Sequence, residues 1–513
     1  MGRRTLLAGM AAAPIAASAR TRPSPIATTH YGKVQGTIEK DVLVFRAIRY
    51  GADTATTRFR RADPPRPWTG IANATGYGPA APQTKATEAT SEDCLFLNVW
   101  TPALDAGRRP VMVYLHGGAH AHGSGSDPLY DGGNLVRRGD VVVVTLNHRL
   151  AAMGYAYLAG VGGPAESGNV GNLDIILALT WVRDNIARFG GNPDRVMIFG
   201  QSGGGAKVVT LMAMAEAHPL FHAAATMSGQ HVTAAGPMHA TRRAKAWMEK
   251  AGAPDIATLM RLPIERLVEA MAMTDPLEGK GEISFTSTLD HGVLARHPFF
   301  PDAPREAAHI PLIVGNTHDE TALWIEKMLR AGDTTWDNLP DRLARETVKD
   351  LAPDHVIRRY RQLYPDRSPG QILLAATTAG RSWPGHLIQA EERARIDAPT
   401  WMYQLDFSCP EAGGILGAFH TLDIPLVFDN VDAAGSRTGT SPDARWLAGQ
   451  MADSFIAFAR TGDPNHRAIA DWPQFDLDTR PTMIFDRQVA IENDPRREER
   501  LLFATVPYIK PGG

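Results

Sequence analysis

Ser202 stands in "RVMIFGQSGGGAKVV" (195 to 209), between strand-like residues and the start of a helix-like run, with Gly200 two positions before it and Gly204 two after. Backbone freedom at glycine is costly to restrain, so a knot of glycines around one serine needs a reason. A G-x-S-x-G segment at a strand-to-helix turn is a nucleophile elbow. The turn forces the serine into a strained conformation with its hydroxyl exposed, and neighbouring chains pass too close for a Cβ at the flanking positions. The helix beginning near Gly204 also aims its N-terminal N–H groups at developing negative charge.

A serine hydroxyl is a weak nucleophile and needs a base, which in turn needs an orienting acid. Behind such an elbow the acid and then the histidine follow along the chain, each at the end of a later strand. The run "IPLIV" leads into "GNTHDE" and offers Asp319 and Glu320; "TWMYQLDF" leads through a glycine-rich loop to "LGAFHTLDIPLVF" and offers His420. His355, His386 and His466 also lie downstream, in helix-like or turn-like surroundings that suit structural or solvated histidines. Stabilisation of an oxyanion is the remaining requirement. "YLHGGAHAHGSGS" (114 to 126) follows a strand with small residues at Gly117, Gly118 and Ala119, so the N–H groups of Gly118, Ala119 and Gly203 can converge on one carbonyl oxygen.

These residues need a scaffold that brings strand ends together. "PVMVYLHGG" (110 to 118), "DVVVVTLNHR" (140 to 149), "RVMIFG" (195 to 200), "HIPLIVGN" (309 to 316) and "TWMYQLDF" (400 to 407) are apolar or β-branched runs that resemble buried parallel strands. Between them, 172 to 190 carries Ile176, Leu179, Val182 and Ile186 at helical spacing. The run 445 to 462 does the same with Leu447, Met451, Phe455 and Phe458 before stopping at Gly462. This alternation predicts an α/β fold with a mostly parallel sheet, built as one domain over 20–513. Helical insertions at roughly 231–308 and 325–398 are expected to cover the sheet edge and the active site.

The 513 residues are 44% hydrophobic and 21% charged, with 53 Lys plus Arg against 55 Asp plus Glu. That is an ordinary globular composition with no basic stripe, which excludes nucleic acid and a polybasic membrane patch as partners and leaves a small molecule. Residues 1–19, with Arg3, Arg4, an apolar stretch and Ala17-Ser18-Ala19, read as an export signal of twin-arginine character, so the mature chain is expected in the periplasm or outside the cell. No other run is long and apolar enough to span a bilayer. Cys94 and Cys409 cannot form a disulfide framework.

Taken with "EDCLFLNVWTP" (92 to 102), "NHRLAAMGY" (147 to 155), "GNVGNLDIILALTWVRDNIARFGGNPDRV" (168 to 196) and "FARTGDPN" (458 to 465), these motifs resemble the type-B carboxylesterase family, which includes bacterial para-nitrobenzyl esterases and the cholinesterases. The resemblance implies an α/β-hydrolase fold and hydrolysis of carboxylic esters, with Ser202 as nucleophile, Glu320 as acid, His420 as base and Gly118, Ala119 and Gly203 as oxyanion donors. It implies no metal and no organic cofactor, and an acyl-enzyme intermediate. Amide hydrolysis, acyl transfer and a non-catalytic binding module are the rival activities for the same fold. Departures from the family pattern fall at Gln201, usually Glu; Gly203, usually Ala; Thr321, usually Gly; and His120, usually aromatic. The cysteine that pairs in animal relatives has no counterpart upstream of Cys94, so Cys94 is expected as a free, buried thiol.

Overall fold

The computed structural model of the chain describes residues 23–346 and 349–508. The export signal expected over 1–19 lies outside the described residues. In chain order the first strands are β1 (Ile26–Thr28), β2 (Lys33–Gln35), β3 (Thr37–Glu39), β4 (Val42–Arg49), β5 (Ile71–Asn73), β6 (Phe96–Thr101) and β7 (Arg109–Leu115). They are followed by β8 (Val142–Leu146), β9 (Gly191–Gln201), β10 (Ala223–Met227), β11 (Leu312–Thr317), β12 (Thr400–Leu405), β13 (Pro481–Phe485) and β14 (Ala490–Asn493). β1, β2 and β5 form a small three-stranded sheet, and the rest build an eleven-stranded sheet in the order β14-β13-β12-β11-β10-β9-β7-β8-β6-β4-β3.

From β8 to β13 every neighbouring pair runs parallel, and pairing turns antiparallel at both margins. Alternate residues of a strand face opposite sides of a sheet. Accordingly, Val111 and Val113 of β7 join one buried cluster with Val182 and Leu179 of the helix Val170–Asn185. Met112 and Tyr114 join a second cluster with Met451 and Phe455 of the helix Pro442–Thr461. Each fully buried side chain of this size contributes about 2 kcal/mol, so the two faces together fix the sheet between helical layers. The long helix ends as its sequence predicts, with Gly462 in the left-handed conformation (φ 78°) and its N–H on the Phe458 carbonyl.

β10 is the central strand that apolar pattern does not announce, because "AAATM" is poor in β-branched residues. Beside its carboxyl end, Gly205 and Gly229 are confined to glycine. A Cβ on Gly205 would lie 2.7 Å from Thr226 Oγ1, and one on Gly229 would lie 2.3 Å from the Gly205 carbonyl carbon. The first insertion contributes the helices Pro237–Ala251 and Ile264–Ala270; the second contributes a run from Pro353–Leu363 to Trp383–Ala394, interrupted by a π-helical turn at Thr378–Ser382, whose last helix clusters with Met402 of β12 and reaches the amino ends of β11 and β12 through Arg393. Cys94 and Cys409 are both free and buried.

Candidate active site

β9 ends at Gln201 and the helix Gly203–Leu211 begins two residues later, leaving Ser202 between them at φ 57° and ψ −122°. A non-glycine residue there is strained, and the strain is held by tight packing. The Ser202 N–H donates to the Met227 carbonyl at 2.8 Å, and the helix start lies against the segment after β7. A Cβ on Gly204 would fall 1.9 Å from the Leu115 carbonyl oxygen, and one on Gly203 would fall 1.8 Å from the Ala119 carbonyl oxygen. The glycines after the serine are therefore required by close approach of backbone to backbone.

In the segment from His116 to Ala119 the two inner carbonyls, those of Gly117 and Gly118, are taken up within the loop itself. The His116 ring Nδ1 lies 3.0 Å from the Gly117 carbonyl, and the Gly118 carbonyl accepts from the N–H groups of Ala121 and His122, both at 3.1 Å. In a trans peptide the N–H points opposite to the C=O. The N–H groups of Gly118 and Ala119 consequently face the other way, and among the described residues neither they nor the Gly203 N–H donate to a protein acceptor. Gly118 and Ala119 both have positive φ, 80° and 55°.

Across the site, His420 Nδ1 and Glu320 Oε2 are 2.5 Å apart. Facing a carboxylate, Nδ1 carries the hydrogen and Nε2 the lone pair. The second carboxylate oxygen of Glu320 accepts from the Ser228 hydroxyl at 2.5 Å and from the Thr317 N–H at 2.9 Å. Burial opposes the charge on Glu320, which is fully buried, but the adjacent His420 and these hydrogen bonds outweigh it and hold the carboxyl down at about 2. Asp319 points elsewhere. Its Oδ1 lies 3.0 Å from His318 Nδ1, and its Oδ2 accepts from the Ala418 N–H at 3.0 Å. It clips the acid turn onto the loop that carries His420, and a Cβ on Gly417 would sit 2.0 Å from that same oxygen.

Among the departures from the family pattern, Gln201 is buried with its amide nitrogen 3.3 Å from His420 Nε2. The same nitrogen is also 3.4 Å from Nδ1, whose hydrogen goes to Glu320, so the amide lies against the face of the imidazole and leaves the Nε2 lone pair without a protein donor among the described residues. Thr321 ties the acid turn to the second insertion through Thr377 Oγ1 at 2.7 Å and Thr378 Oγ1 at 3.1 Å. The His120 ring is buried, packed edge-on against Tyr155 with centroids 4.7 Å apart. Of the downstream histidines, His355 is exposed and His466 half-buried, while His386 is buried near Glu320 and His420, where burial chiefly lowers its pKa to about 4. Ser228 had no signal in the sequence, since it follows the unannounced strand β10.

Ser202, Gly203 and Ala119 open onto a cavity of about 280 Å³ whose wall includes His120, Trp324 and Arg381. Trp324 lies over His420 with ring centroids 5.2 Å apart, and the Arg381 guanidinium covers Trp324 at 5.4 Å. An exposed hydroxyl at a strained turn, a carboxylate-oriented imidazole and unpaired N–H groups beside one cavity are together suited to acyl transfer.

A large, centrally parallel sheet with the cavity at its carboxyl edge has the architecture of an α/β-hydrolase. The carboxylesterase family model matches residues 23–503, and the chain belongs to that family. It is 35% identical to the para-nitrobenzyl esterase of Bacillus subtilis (strain 168), over 93% of this chain and 97% of the relative. Phenmedipham hydrolase of Pseudarthrobacter oxydans is 32% identical, covering 94% and 99%. Among solved structures, the carboxylesterase EST55 of Geobacillus stearothermophilus superposes with a TM-score of 0.83 at 34% identity, covering 93% of this chain and 99% of the other. An esterase from Clostridium hathewayi superposes with a TM-score of 0.78 at 30% identity, covering 94% and 98%. The protein is a carboxylic ester hydrolase.

Proposed function

We propose that this esterase works through a Ser202-Glu320-His420 triad and an acyl-enzyme intermediate. The observation that supports the reading most is the 2.5 Å contact of Glu320 Oε2 with His420 Nδ1, which leaves Nε2 as the basic nitrogen of a ring packed against Trp324, itself part of the wall of the cavity that Ser202 enters. As an ester seats, the Ser202 hydroxyl donates to Nε2; such hydrogen bonds commonly tighten only with substrate bound. His420 then takes the proton as Oγ attacks the carbonyl carbon, and Glu320 steadies the imidazolium. The N–H groups of Gly118, Ala119 and Gly203 receive the developing oxyanion. Collapse of that intermediate expels the alcohol with the proton returned by His420, and water repeats the sequence on the acyl-enzyme.

The substrate is a small carboxylic ester. Among the relatives are a para-nitrobenzyl esterase and an esterase described as able to hydrolyze aliphatic aromatic polyesters, which directs a first substrate panel toward aromatic esters. Residues 1–19 mark the protein for export. The test is labelling with an organophosphonate probe alongside turnover of para-nitrophenyl esters. The probe should modify Ser202 alone, and Ser202→Ala should abolish labelling and lower kcat by roughly 10³-fold or more. Labelling that survives the substitution would overturn the assignment.

A further inference from the structure

Lys207 lies on the helix that begins beside the nucleophile, fully buried, and no carboxylate among the described residues pairs with it. Its Nζ donates to the His116 carbonyl at 3.2 Å and to the Ala119 carbonyl at 3.1 Å. These are the two ends of the segment whose inner carbonyls are held by the His116 ring and by the N–H groups of Ala121 and His122. A buried amine without a counter-ion is costly, and an apolar side chain of similar length would fill the same space at less cost. The lysine therefore calls for a function.

The titratable groups facing it belong to the segment after β7 and to the end of β8. His116 and His148 stack with ring centroids 4.9 Å apart and are both buried. Burial, and then the charge of Lys207, push the His116 pKa down to about 3 and that of His148 well below its usual value; His122 shifts down as well, by burial and then by Lys85 and Lys207. All three rings are held neutral, which leaves Lys207 as the group that bears charge here. Its own pKa is brought by burial to about 7.

We propose that Lys207 is the positioning residue of the oxyanion segment, an inference that rests on the triad reading above: its ammonium ties the His116 and Ala119 carbonyls to the nucleophile helix, fixes the direction of the Gly118 and Ala119 N–H groups, and sets a positive charge behind them. The effect is felt in the transition state, when negative charge develops, so it appears in kcat more than in KM. Deprotonation of Lys207 removes that charge, so activity falls as pH rises through about 7.

The experiment measures kcat, KM and melting temperature of the full chain and of Lys207→Met and Lys207→Gln, from pH 5.5 to 9.5, on para-nitrophenyl butyrate. Lys207→Met should lower kcat at least about tenfold with KM within about threefold. It should melt no lower than the native protein and should lose the alkaline decline. Lys207→Gln, which keeps a donor without the charge, should fall between the two and lack the decline; it carries the test if the Met variant does not fold. Native kcat in Lys207→Met, or a loss of kcat accompanied by a lower melting temperature and an unchanged pH profile, overturns the proposal. Absence of ester turnover in the native protein would instead count against the triad reading.

Discussion

The two sides of Ser202 are built from different materials. On one side, the segment from His116 to Ala119 meets the helix Gly203–Leu211 backbone against backbone, with the Lys207 side chain between them, so tightly that Cβ atoms on Gly203 and Gly204 would overlap carbonyl oxygens. Its buried charge is the cation of Lys207. On the other side, Glu320, His420, Ser228 and Gln201 meet through side chains, and the buried charge is a carboxylate. A reaction that moves a proton toward one side and negative charge toward the other benefits from this separation. The backbone side tolerates no added atoms, and the side-chain side tolerates no changed hydrogen-bond role.

The largest expected effect tests the side-chain side. Glu320→Gln preserves shape but presents an amide to Nδ1, and should lower kcat by about 10³-fold or more. Asp319→Asn keeps an acceptor for the Ala418 N–H and should cost less than about tenfold, since Asp319 clips two loops together and does not face His420. Measuring both on one ester checks the pair, and the opposite ranking would mean that the wrong neighbour has been given the role. The Glu320 charge also bears on stability. Its folded pKa is depressed, so its contribution is present above the usual carboxylate range and fades as pH falls through about 2.

These adjacent acids show what the sequence could and could not convey. Order and strand ends brought out Ser202, His420 and the pair Asp319 and Glu320, and the β-branched runs brought out β7, β8, β9, β11 and β12. Which acid turns inward depends on the clip between Asp319 and Ala418, a contact separated by about a hundred positions that no local pattern encodes. The alanine-rich β10 was hidden because "AAATM" lacks the β-branched residues that mark a buried strand, and Ser228 was hidden with it. Gln201 reads as a missing charge in sequence, whereas in the structure it is an amide laid against the face of the His420 ring.

The next effect tests the backbone side. Relatives in this family usually carry Ala where Gly203 stands, yet here a Cβ would lie 1.8 Å from the Ala119 carbonyl oxygen. Gly203→Ala must push the Ala119 peptide away, disturbing an oxyanion N–H and the Lys207 contact together, and kcat should fall by about 10²-fold with little change in KM. Steady-state kinetics on a para-nitrophenyl ester would check this, and native kcat in the variant would mean the segment yields more readily than its packing implies.

The smallest effect comes from restoring the family's carboxylate with Gln201→Glu. A negative charge 3 to 4 Å from the His420 ring favours imidazolium, whereas the base must be neutral, so the acid limb of kcat/KM should move to higher pH by about one unit while activity above pH 8 changes little. The shift requires the introduced carboxyl to ionise next to Glu320, and also near Asp423, whose own carboxyl is raised to about 7 chiefly by burial, with the Tyr403 hydrogen bond opposing. A pH–rate profile separates the two cases. A moved limb shows that the side-chain side can hold further negative charge opposite the Lys207 cation. An unmoved limb shows the new carboxyl to be protonated, in which case the glutamine is the form of this residue that lets Glu320 keep the charge there.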